Sequence, residues 1–351
     1  MKYRDLLITG GAGFIGSNLA VGFKQRYPKL KVYALDNLKR RGSEQNISRL
    51  KENGINFIHA DIRNPEDLAL DFNFDLMIEC SAEPSVMAGI DNPLYIINTN
   101  LAGTVNCLEL CRKQKADIIF LSTNRVYPYK AINRIKTVET DTRLAWLANQ
   151  DISGWTTNGV NEDFTIAGPK TLYGATKLSS ELLLQEYIAN YGIKGVINRC
   201  GVIAGPWQFG KVDQGVFTYW MLAHYYKEPL KYIGFGGKGK QVRDPLHVDD
   251  LFNLIDIEAS RLSKISGNIY NVGGGKEASL SLYETTRLCQ QITGNKIKIG
   301  TDLIGRPGDI SIYLTDNSKV TKELGWKPKK TAKSILTDIY SWVHKSRKNC
   351  I

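Results

Sequence analysis

Long apolar runs are missing from this sequence of 351 residues. The first strand-like run, Leu6 to Gly10, is only five residues long. A signal-peptide core or a membrane span needs a longer apolar stretch, and no other run approaches that length. We therefore expect a cytoplasmic protein that has no membrane partner.

Cysteine and histidine are scarce, with six and four residues respectively. The cysteines are scattered and have no matching set of histidines. Cys107 and Cys111 stand four residues apart on a predicted helix, a spacing more typical of buried thiols than of a metal site. We predict neither disulfides nor a bound metal. The six positions are Cys80, Cys107, Cys111, Cys200, Cys289 and Cys350.

Basic residues outnumber acidic ones, 46 to 35, which gives a formal charge of +11. Such an excess is typical of nucleic-acid binders, but here it is spread along the chain without a groove-reading or stacking motif. We expect no nucleic-acid partner. Two explanations stay open: attraction of a polyanionic small substrate and a merely solvated basic surface.

The first half of the chain alternates short apolar, β-branched runs with helical patterns. This order is typical of a parallel sheet covered by helices on both faces. The sequence predicts an α/β protein with a doubly wound parallel (Rossmann) sheet, and helices beginning near Gly13, Glu66, Asn100 and Tyr173. The predicted strands are Leu6–Thr9, Lys31–Leu35, Asn56–His59, Leu76–Glu79, Ile118–Ser122, Val196–Asn198 and Asn268–Val272.

A glycine-rich segment, Thr9 to Gly16, follows the first predicted strand and opens a helix. In that context Gly10 permits a tight turn, Gly13 lets a pyrophosphate approach the backbone, and Gly16 allows close helix packing. The helix N-terminus adds N–H donors and a positive dipole. We predict a dinucleotide site whose contacts include Gly10, Gly13, Phe14, Ile15 and Gly16.

Asp36 ends the second predicted strand, where its carboxylate would accept hydrogen bonds from ribose hydroxyls and repel a 2′-phosphate. NAD is therefore favoured over NADP, although the following Lys39, Arg40 and Arg41 could host a 2′-phosphate. Further candidate contacts follow the second, third and fourth strands. They are Asn37 and Ile62, Asp61 at the adenine edge with an ordinary loop carboxylate as the alternative, and Ser81 and Ala82 beneath the cofactor.

Tyr173 and Lys177 are four residues apart on a predicted helix and so share one face. A nearby ammonium favours the phenolate form of tyrosine, which can then act as a base. Thr123 lies at the carboxyl end of the fifth strand, where ligands bind in open α/β sheets, and can relay a hydrogen bond to Tyr173. Ser122 is the competitor, although strand alternation turns it to the other face.

From Gly201 onward, Gly and Pro residues interrupt the sequence at short intervals. We predict a dinucleotide-binding domain over residues 1–200, to which 246–274 returns, and a mainly substrate-binding lobe over 201–351. Pro128 to Pro169 reads as a long irregular segment, either a functional loop or a disordered insert.

Over essentially its whole length the chain resembles the extended short-chain dehydrogenase/reductases that act on nucleotide sugars, and within them the epimerases of CDP-linked deoxysugars. The resemblance implies that Tyr173, Lys177 and Thr123 are catalytic and that Asn100 lies on the cofactor side. It also implies a homodimer through the helices that begin near Asn100 and Tyr173, with burial within one subunit as the other explanation of their apolar residues Val105, Leu108, Leu182 and Leu183. It further implies a nucleotide-sugar substrate, with CDP favoured, contacted by Thr123, Asn124, Arg125, Gln214, Arg243 and Arg306. The motifs that carry it are Ser122 to Tyr127, Asp213-Gln214-Gly215, Gly239 to Asp244, His247 to Leu251, Asn271 to Gly274 and Arg306 to Asp309.

The residues after Thr123 separate the candidate reactions. Dehydratases that resemble the chain carry an Asp-Glu pair there because elimination needs a further acid and base, whereas this chain has Asn124 and Arg125. Epimerisation by transient oxidation, at C2 of a CDP-linked deoxyhexose, is the favoured hypothesis. C4 epimerisation of a UDP-hexose is the alternative on the same machinery, and a non-catalytic NAD-binding scaffold is disfavoured by the intact Tyr–Lys pair. Val202 and Pro128 depart from the residues that many relatives have at these positions.

Overall fold

The computed structural model describes residues 2–209 and 214–348. Its strands in chain order are β1 Asp5–Thr9, β2 Lys31–Asp36, β3 Asn56–His59, β4 Leu76–Glu79, β5 Asp117–Thr123, β6 Thr137–Glu139, β7 Leu144–Trp146, β8 Trp155–Thr156, β9 Gly159–Val160, β10 Gly195–Cys200, β11 Ile203–Ala204, β12 Leu230–Ile233, β13 Val242–Arg243, β14 Leu246–His247, β15 Ile269–Val272, β16 Leu280–Ser281 and β17 Ile299–Asp302. Its α-helices are α1 Phe14–Arg26, α2 Asn46–Glu52, α3 Val86–Asp91, α4 Pro93–Ile96, α5 Gly103–Gln114, α6 Tyr129–Ile132, α7 Leu172–Tyr191, α8 Val216–Tyr226, α9 Val248–Ile265, α10 Leu282–Thr293, α11 Ser318–Leu324 and α12 Ala332–Lys348.

In the described part of the chain, seven strands form one parallel sheet in the order β3-β2-β1-β4-β5-β10-β15. The predicted α/β doubly wound fold is confirmed. Leu6, Leu7 and Ile8 of β1 are all fully buried, because a parallel sheet is covered on both faces, and this explains the continuous apolar runs in the sequence. The order reverses between β1 and β4, and ligands bind beside the carboxyl ends of the strands at such a point.

Two helical predictions need correction. The helix expected near Glu66 is only a 3-10 segment, Pro65–Leu68, because the backbone leaves helical geometry at Ala69, with φ −76° and ψ 70°. Phe72 then stacks on Tyr33 with ring centroids 3.9 Å apart. The helix expected near Asn100 begins as a π-helical segment, Ile97–Ala102, before α5. Single π-helical turns inside helices are frequent at functional sites.

The chain divides into two compact units. The first contains Met1–Val126, Leu172–Arg199 and Leu251–Tyr270, and the second contains Tyr127–Thr171, Cys200–Asp250 and Asn271–Ile351. Each unit has its own apolar core. The first core includes Leu7, Met77, Leu108, Ile118 and Leu184, and the second includes Phe217, Trp220, Met221, Leu336 and Ile339.

Residues 127–171, which we call the insert, are more ordered than the sequence indicated. They contain α6 and two hairpins, β6–β7 and β8–β9. Trp146 and Trp155 pack edge to face, with ring centroids 6.0 Å apart, and Trp146 also packs on the buried cluster around Ile312. The disordered alternative is therefore wrong for this segment.

The insert is fixed to the N-terminus of α10. Ser281 and Glu284 form a capping box there. The same Glu284 carboxylate accepts hydrogen bonds from Arg143 Nε at 2.8 Å and Nη2 at 2.5 Å, and from the Thr142 hydroxyl at 2.6 Å. One carboxylate thus caps a helix and anchors a hairpin.

Across residues 2–209 and 214–348, no helix combines the length and apolar character needed to cross a membrane. The same residues contain no cluster of three or more His, Cys, Asp or Glu side chains able to hold a metal ion. The five cysteines among the described residues form no disulfide, and Cys350 lies outside the described residues.

Candidate active site

The turn after β1 requires glycine at two positions. Gly10 has φ +63°, and a Cβ there would lie 3.0 Å from the backbone of Cys80. A Cβ on Gly16 would lie 2.2 Å from the Gly10 carbonyl oxygen, so α1 packs directly on the turn. Gly13 is the N-cap of α1 and supplies no side-chain cap. This cradle fits a pyrophosphate at a helix N-terminus. The first turn of α1 contains the predicted contacts Phe14, Ile15 and Gly16.

Asp36 organises the same turn from the end of β2. Its carboxylate oxygens accept hydrogen bonds from the backbone N–H of Ala12 at 3.1 Å and of Leu38 at 2.8 Å. Burial raises the pKa of Asp36, while these N–H groups lower it. Each carboxylate oxygen has two lone pairs, so these contacts leave acceptor capacity for ribose hydroxyls.

The predicted adenine-side residues lie together beside the ends of β2 and β3. The Asn37 amide donates to Asp61 at 2.9 Å, and Arg63 binds the Asp61 carboxylate through two nitrogens. This pairing lowers the pKa of Asp61 to about 2. Ile62 is buried, and its side chain would clash with any Cβ on Gly103. The sequence analysis did not identify Arg63, although its partner Asp61 is only two residues away in the chain.

Asn100 fixes the segment after β4, which contains the half-buried Ser81 and Ala82. Its side-chain oxygen accepts from the Glu83 N–H at 2.8 Å, and its amide donates to the Glu83 carbonyl at 3.2 Å and to the Thr176 hydroxyl at 3.4 Å. Asn100 is fully buried. It therefore connects the cofactor-side segment to α7, a role that the motif alone did not reveal.

Tyr173, Lys177 and Thr123 all belong to the first unit. Tyr173 and Lys177 lie on α7, and Thr123 ends β5. The first turn of α7 packs on the turn after Thr123, because a Cβ on Gly174 would lie 2.0 Å from the Arg125 carbonyl oxygen. The Arg125 N–H donates to the Thr123 hydroxyl at 3.2 Å. Asn124 in the same turn is buried. The contacts of Gly174 and Arg125 bring the helix that carries Tyr173 and Lys177 next to the turn that follows Thr123.

Lys177 has a partner that the sequence reasoning missed. Its Nζ lies 3.4 Å from Oε2 of Glu79, the last residue of β4, and 4.0 Å from the ring centroid of Phe120. Both charged side chains are buried. Burial raises the pKa of Glu79, and the Lys177 charge acts in the opposite direction.

Ser122 is engaged elsewhere. Its hydroxyl donates to the buried Glu181 carboxylate, which also binds the Arg199 guanidinium at 2.7 Å. This arrangement ties α7 to β5 and β10. The alternation argument for Thr123 over Ser122 is consistent with these contacts.

Two of the candidate substrate residues of the second unit, Arg243 and Arg306, lie close to each other. Arg243 Nη2 donates to Asp309 at 2.9 Å, and Asp309 closes a turn with Arg306 through a backbone hydrogen bond of 3.2 Å. Arg243 is therefore held next to the Arg306-Pro307-Gly308-Asp309 motif. Gln214 precedes α8 and is half-buried, while Asp213 lies outside the described residues.

A glycine turn at the switch point of a doubly wound sheet, together with a Tyr–Lys pair on a helix of the same unit, defines an enzyme that uses a nicotinamide dinucleotide. Comparison with known proteins narrows the class. The chain belongs to the NAD dependent epimerase/dehydratase family, whose model matches residues 6–273. Its cofactor is NAD, and the enzyme is of the nucleotide-sugar epimerase and dehydratase kind.

Relatives match along nearly the whole chain. CDP-paratose 2-epimerase of Salmonella typhi is 33% identical over 345 residues, which cover 96% of this chain and 98% of that protein. The dTDP-glucose 4,6-dehydratase of Salmonella typhimurium is 29% identical, with 96% and 92% covered. The crystal structure of UDP-glucuronic acid 4-epimerase from Bacillus cereus, in complex with UDP-glucuronic acid and NAD, matches with a TM-score of 0.80 and 25% identity, covering 98% of this chain and all of that one.

Proposed function

We propose that this protein inverts C2 of a CDP-linked 3,6-dideoxyhexose or a close relative, interconverting paratose-type and tyvelose-type sugars. The observation that carries the proposal is the likeness to a CDP-paratose 2-epimerase over 96% of the chain. Neither dehydratases nor 4-epimerases among the relatives mentioned reach that identity.

The turn after Thr123 supports epimerisation over dehydration. Elimination of water needs an acid and a base in addition to the tyrosine. Residues 124–126 are Asn, Arg and Val and contribute no carboxylate. The buried carboxylates of this region, Glu79 and Glu181, are paired with Lys177 and Arg199. The proposed reaction needs no further proton-transfer pair.

Each proposed catalytic residue has one task. NAD, when bound, would supply the hydride acceptor and donor for C2 of the sugar. Tyr173 as phenolate takes the proton from the C2 hydroxyl and gives it back at the end of the cycle. Lys177 favours the phenolate by its charge, and the Thr123 hydroxyl relays a hydrogen bond to the substrate. Because C2 of the substrate has no adjacent carbonyl, simple deprotonation of that carbon is implausible.

Inversion requires a sugar that turns while its nucleotide stays fixed. We propose that Arg243 and Arg306 bind the diphosphate, since a planar guanidinium matches phosphate oxygens in pairs. The hydrogen bond from Arg243 to Asp309 fixes the position of the Arg243 side chain before a diphosphate binds. Gln214, Asn124 and Arg125 are the candidate contacts to the sugar. The ketone can then expose its other face before hydride returns.

Deuterium placed at C2 of the CDP-sugar tests this mechanism. We expect the label to reappear at C2 of the epimer, with little exchange from solvent, because the same hydride leaves and returns. Mass spectrometry and NMR of the product measure its position. A matched reaction of unlabelled sugar in deuterated water is the control, and stoichiometric solvent deuterium at C2 contradicts transient oxidation. Inversion of C4 alone, with a UDP-hexose in the same panel, would replace the substrate assignment.

We also propose a homodimer formed through the helical face of α3, α4 and α7, which pack against one another. Three leucine or isoleucine side chains on this face are exposed: Leu94 by 65%, Leu182 by 54% and Ile97 by 37%. The helices expected to form the interface begin near Asn100 and Tyr173, and on the first of them Leu108 is fully buried in the core of the first unit, so burial within one subunit explains that residue. Val105 and Leu183 are half-buried.

Sedimentation velocity checks the dimer. The unaltered protein should sediment as a dimer, and the double variant Leu94→Glu, Leu182→Glu should sediment as a monomer, because two charges would be buried in the interface. Leu303→Glu, which changes a leucine of the second unit that is 72% exposed, is the control and should remain dimeric. A monomer at all concentrations of the unaltered protein contradicts the proposal.

A further inference from the structure

Glu79 is the buried charge that the proposed reaction leaves without a task. It is the last residue of β4, next to the switch point, and it pairs in register with Thr9 on β1. Neither residue is exposed. A buried carboxylate is retained at low cost only when a cation or hydrogen bonds stabilise it. Its position at the ligand-binding edge calls for an explanation beyond packing.

The only ammonium or guanidinium that the described residues place against Glu79 is that of Lys177, at 3.4 Å. Two thiols on α5, Cys107 and Cys111, also face it, and burial raises the pKa of both, so they stay neutral. Lys177 Nζ also lies 4.0 Å from the ring centroid of Phe120. Without Glu79 this ammonium would be buried beside an aromatic ring and the neutral thiol of Cys107.

We propose that Glu79 is a positioning residue: its carboxylate is the counter-ion that keeps Lys177 charged and in place, and through Lys177 it sets the pH at which Tyr173 becomes a base. This inference rests on the proposed catalytic roles of Tyr173 and Lys177. A buried ammonium without a counter-ion loses its proton more easily. A neutral Lys177 would no longer favour the phenolate one helical turn away. The chain therefore needs an anion next to Lys177.

The pH dependence of kcat tests the proposal. In Glu79→Gln, which preserves the shape but not the charge, the acid limb of the kcat profile should move up by on the order of one pH unit or more. Glu79→Asp retains the charge and should restore the position of the limb, although kcat falls. An unchanged profile in Glu79→Gln, or a limb that moves to lower pH, would overturn the proposal.

A second measurement needs no activity. In thermal unfolding, Glu79→Gln should destabilise the unaltered protein, because it leaves the buried Lys177 ammonium without a counter-ion. In the Lys177→Met variant the same substitution should be stabilising, because it removes a buried carboxylate that has no cation beside it. A residue that serves only packing would give the same sign in both backgrounds, and that result contradicts the ion pair. If Tyr173→Phe retained full turnover, the catalytic assignment would fail. The opposite effects of Glu79→Gln on stability in the two backgrounds would still test the Glu79–Lys177 ion pair.

Discussion

Replacing Tyr173 with phenylalanine is expected to lower kcat by roughly three orders of magnitude, because the phenolic oxygen is the proposed proton acceptor. The fold and the NAD content should be unchanged. The aromatic ring remains, and the Thr176 hydroxyl bonds to the backbone carbonyl of Tyr173 at 2.9 Å, a contact that needs no phenol. Thr123→Ala should lose less, because a water molecule can replace a relayed hydrogen bond.

Single-turnover rates and the NAD released on denaturation measure this prediction. Tyr191→Phe is the matched control, since it makes the same change on the same helix at a position that is 56% exposed. It should leave kcat unaltered. Undiminished turnover in Tyr173→Phe would show that another group moves the proton.

The protein is also expected to lose stability as pH rises from 6 to 8, because of one buried carboxyl group. Glu258 on α9 is fully buried, and it accepts a single hydrogen bond, of 2.8 Å, from Asn198 on β10. Its other oxygen has no hydrogen-bond partner among the described residues. Burial raises the pKa of Glu258 to about 8 from an ordinary value of 4.5.

The direction follows from proton binding. Between pH 4.5 and 8 the folded state keeps a proton that the unfolded state has released, so the free energy of unfolding falls as pH rises through this window. From pH 6 to 8 the loss is about 2 kcal/mol. Asp244 of the second unit acts in the same direction at lower pH, since burial raises its pKa to about 6.

Urea unfolding at saturating NAD, at pH 6, 7 and 8, measures the effect. Glu258→Gln should flatten the dependence in this range and should be more stable than the unaltered protein at pH 8, because an amide does not ionise. Glu52→Gln, at an exposed site of α2, should follow the unaltered curve. Equal slopes for all three proteins would mean that Glu258 is already ionised in the folded state.

Sequence patterns predicted the sheet well, because the burial of its strands on both faces leaves a plain apolar signal. They failed where a distant contact decides the local structure. Near Glu66 the chain forms only one 3-10 segment and then places Phe72 on Tyr33 of β2, a contact that local sequence does not show. Helix α2 was missed because its segment is mostly polar, and the one apolar side chain that it buries completely is Leu50.

The same limit applies to the site. The glycine turn and the Tyr–Lys pair have fixed spacings, so the sequence shows them directly. Glu79 is 98 residues from Lys177, and only the return of α7 onto the sheet joins them. The one available signal was a carboxylate that closes an otherwise apolar strand, Leu76–Glu79. For Asn100 the sequence predicted a cofactor-side position, but its bonds to Glu83 and Thr176 depend on the π-helical turn.

The bond between the insert and α10 limits how the enzyme can be recombined with its relatives. If only residues 137–160 were moved into a relative whose helix has no carboxylate at the position of Glu284, the half-buried Arg143 guanidinium would lack the group that binds two of its nitrogens. The N-terminal cap of the recipient helix would also lack its own partner loop. The transferable cassette therefore consists of two pieces, the hairpins and residues 279–284, although more than a hundred residues separate them in the chain.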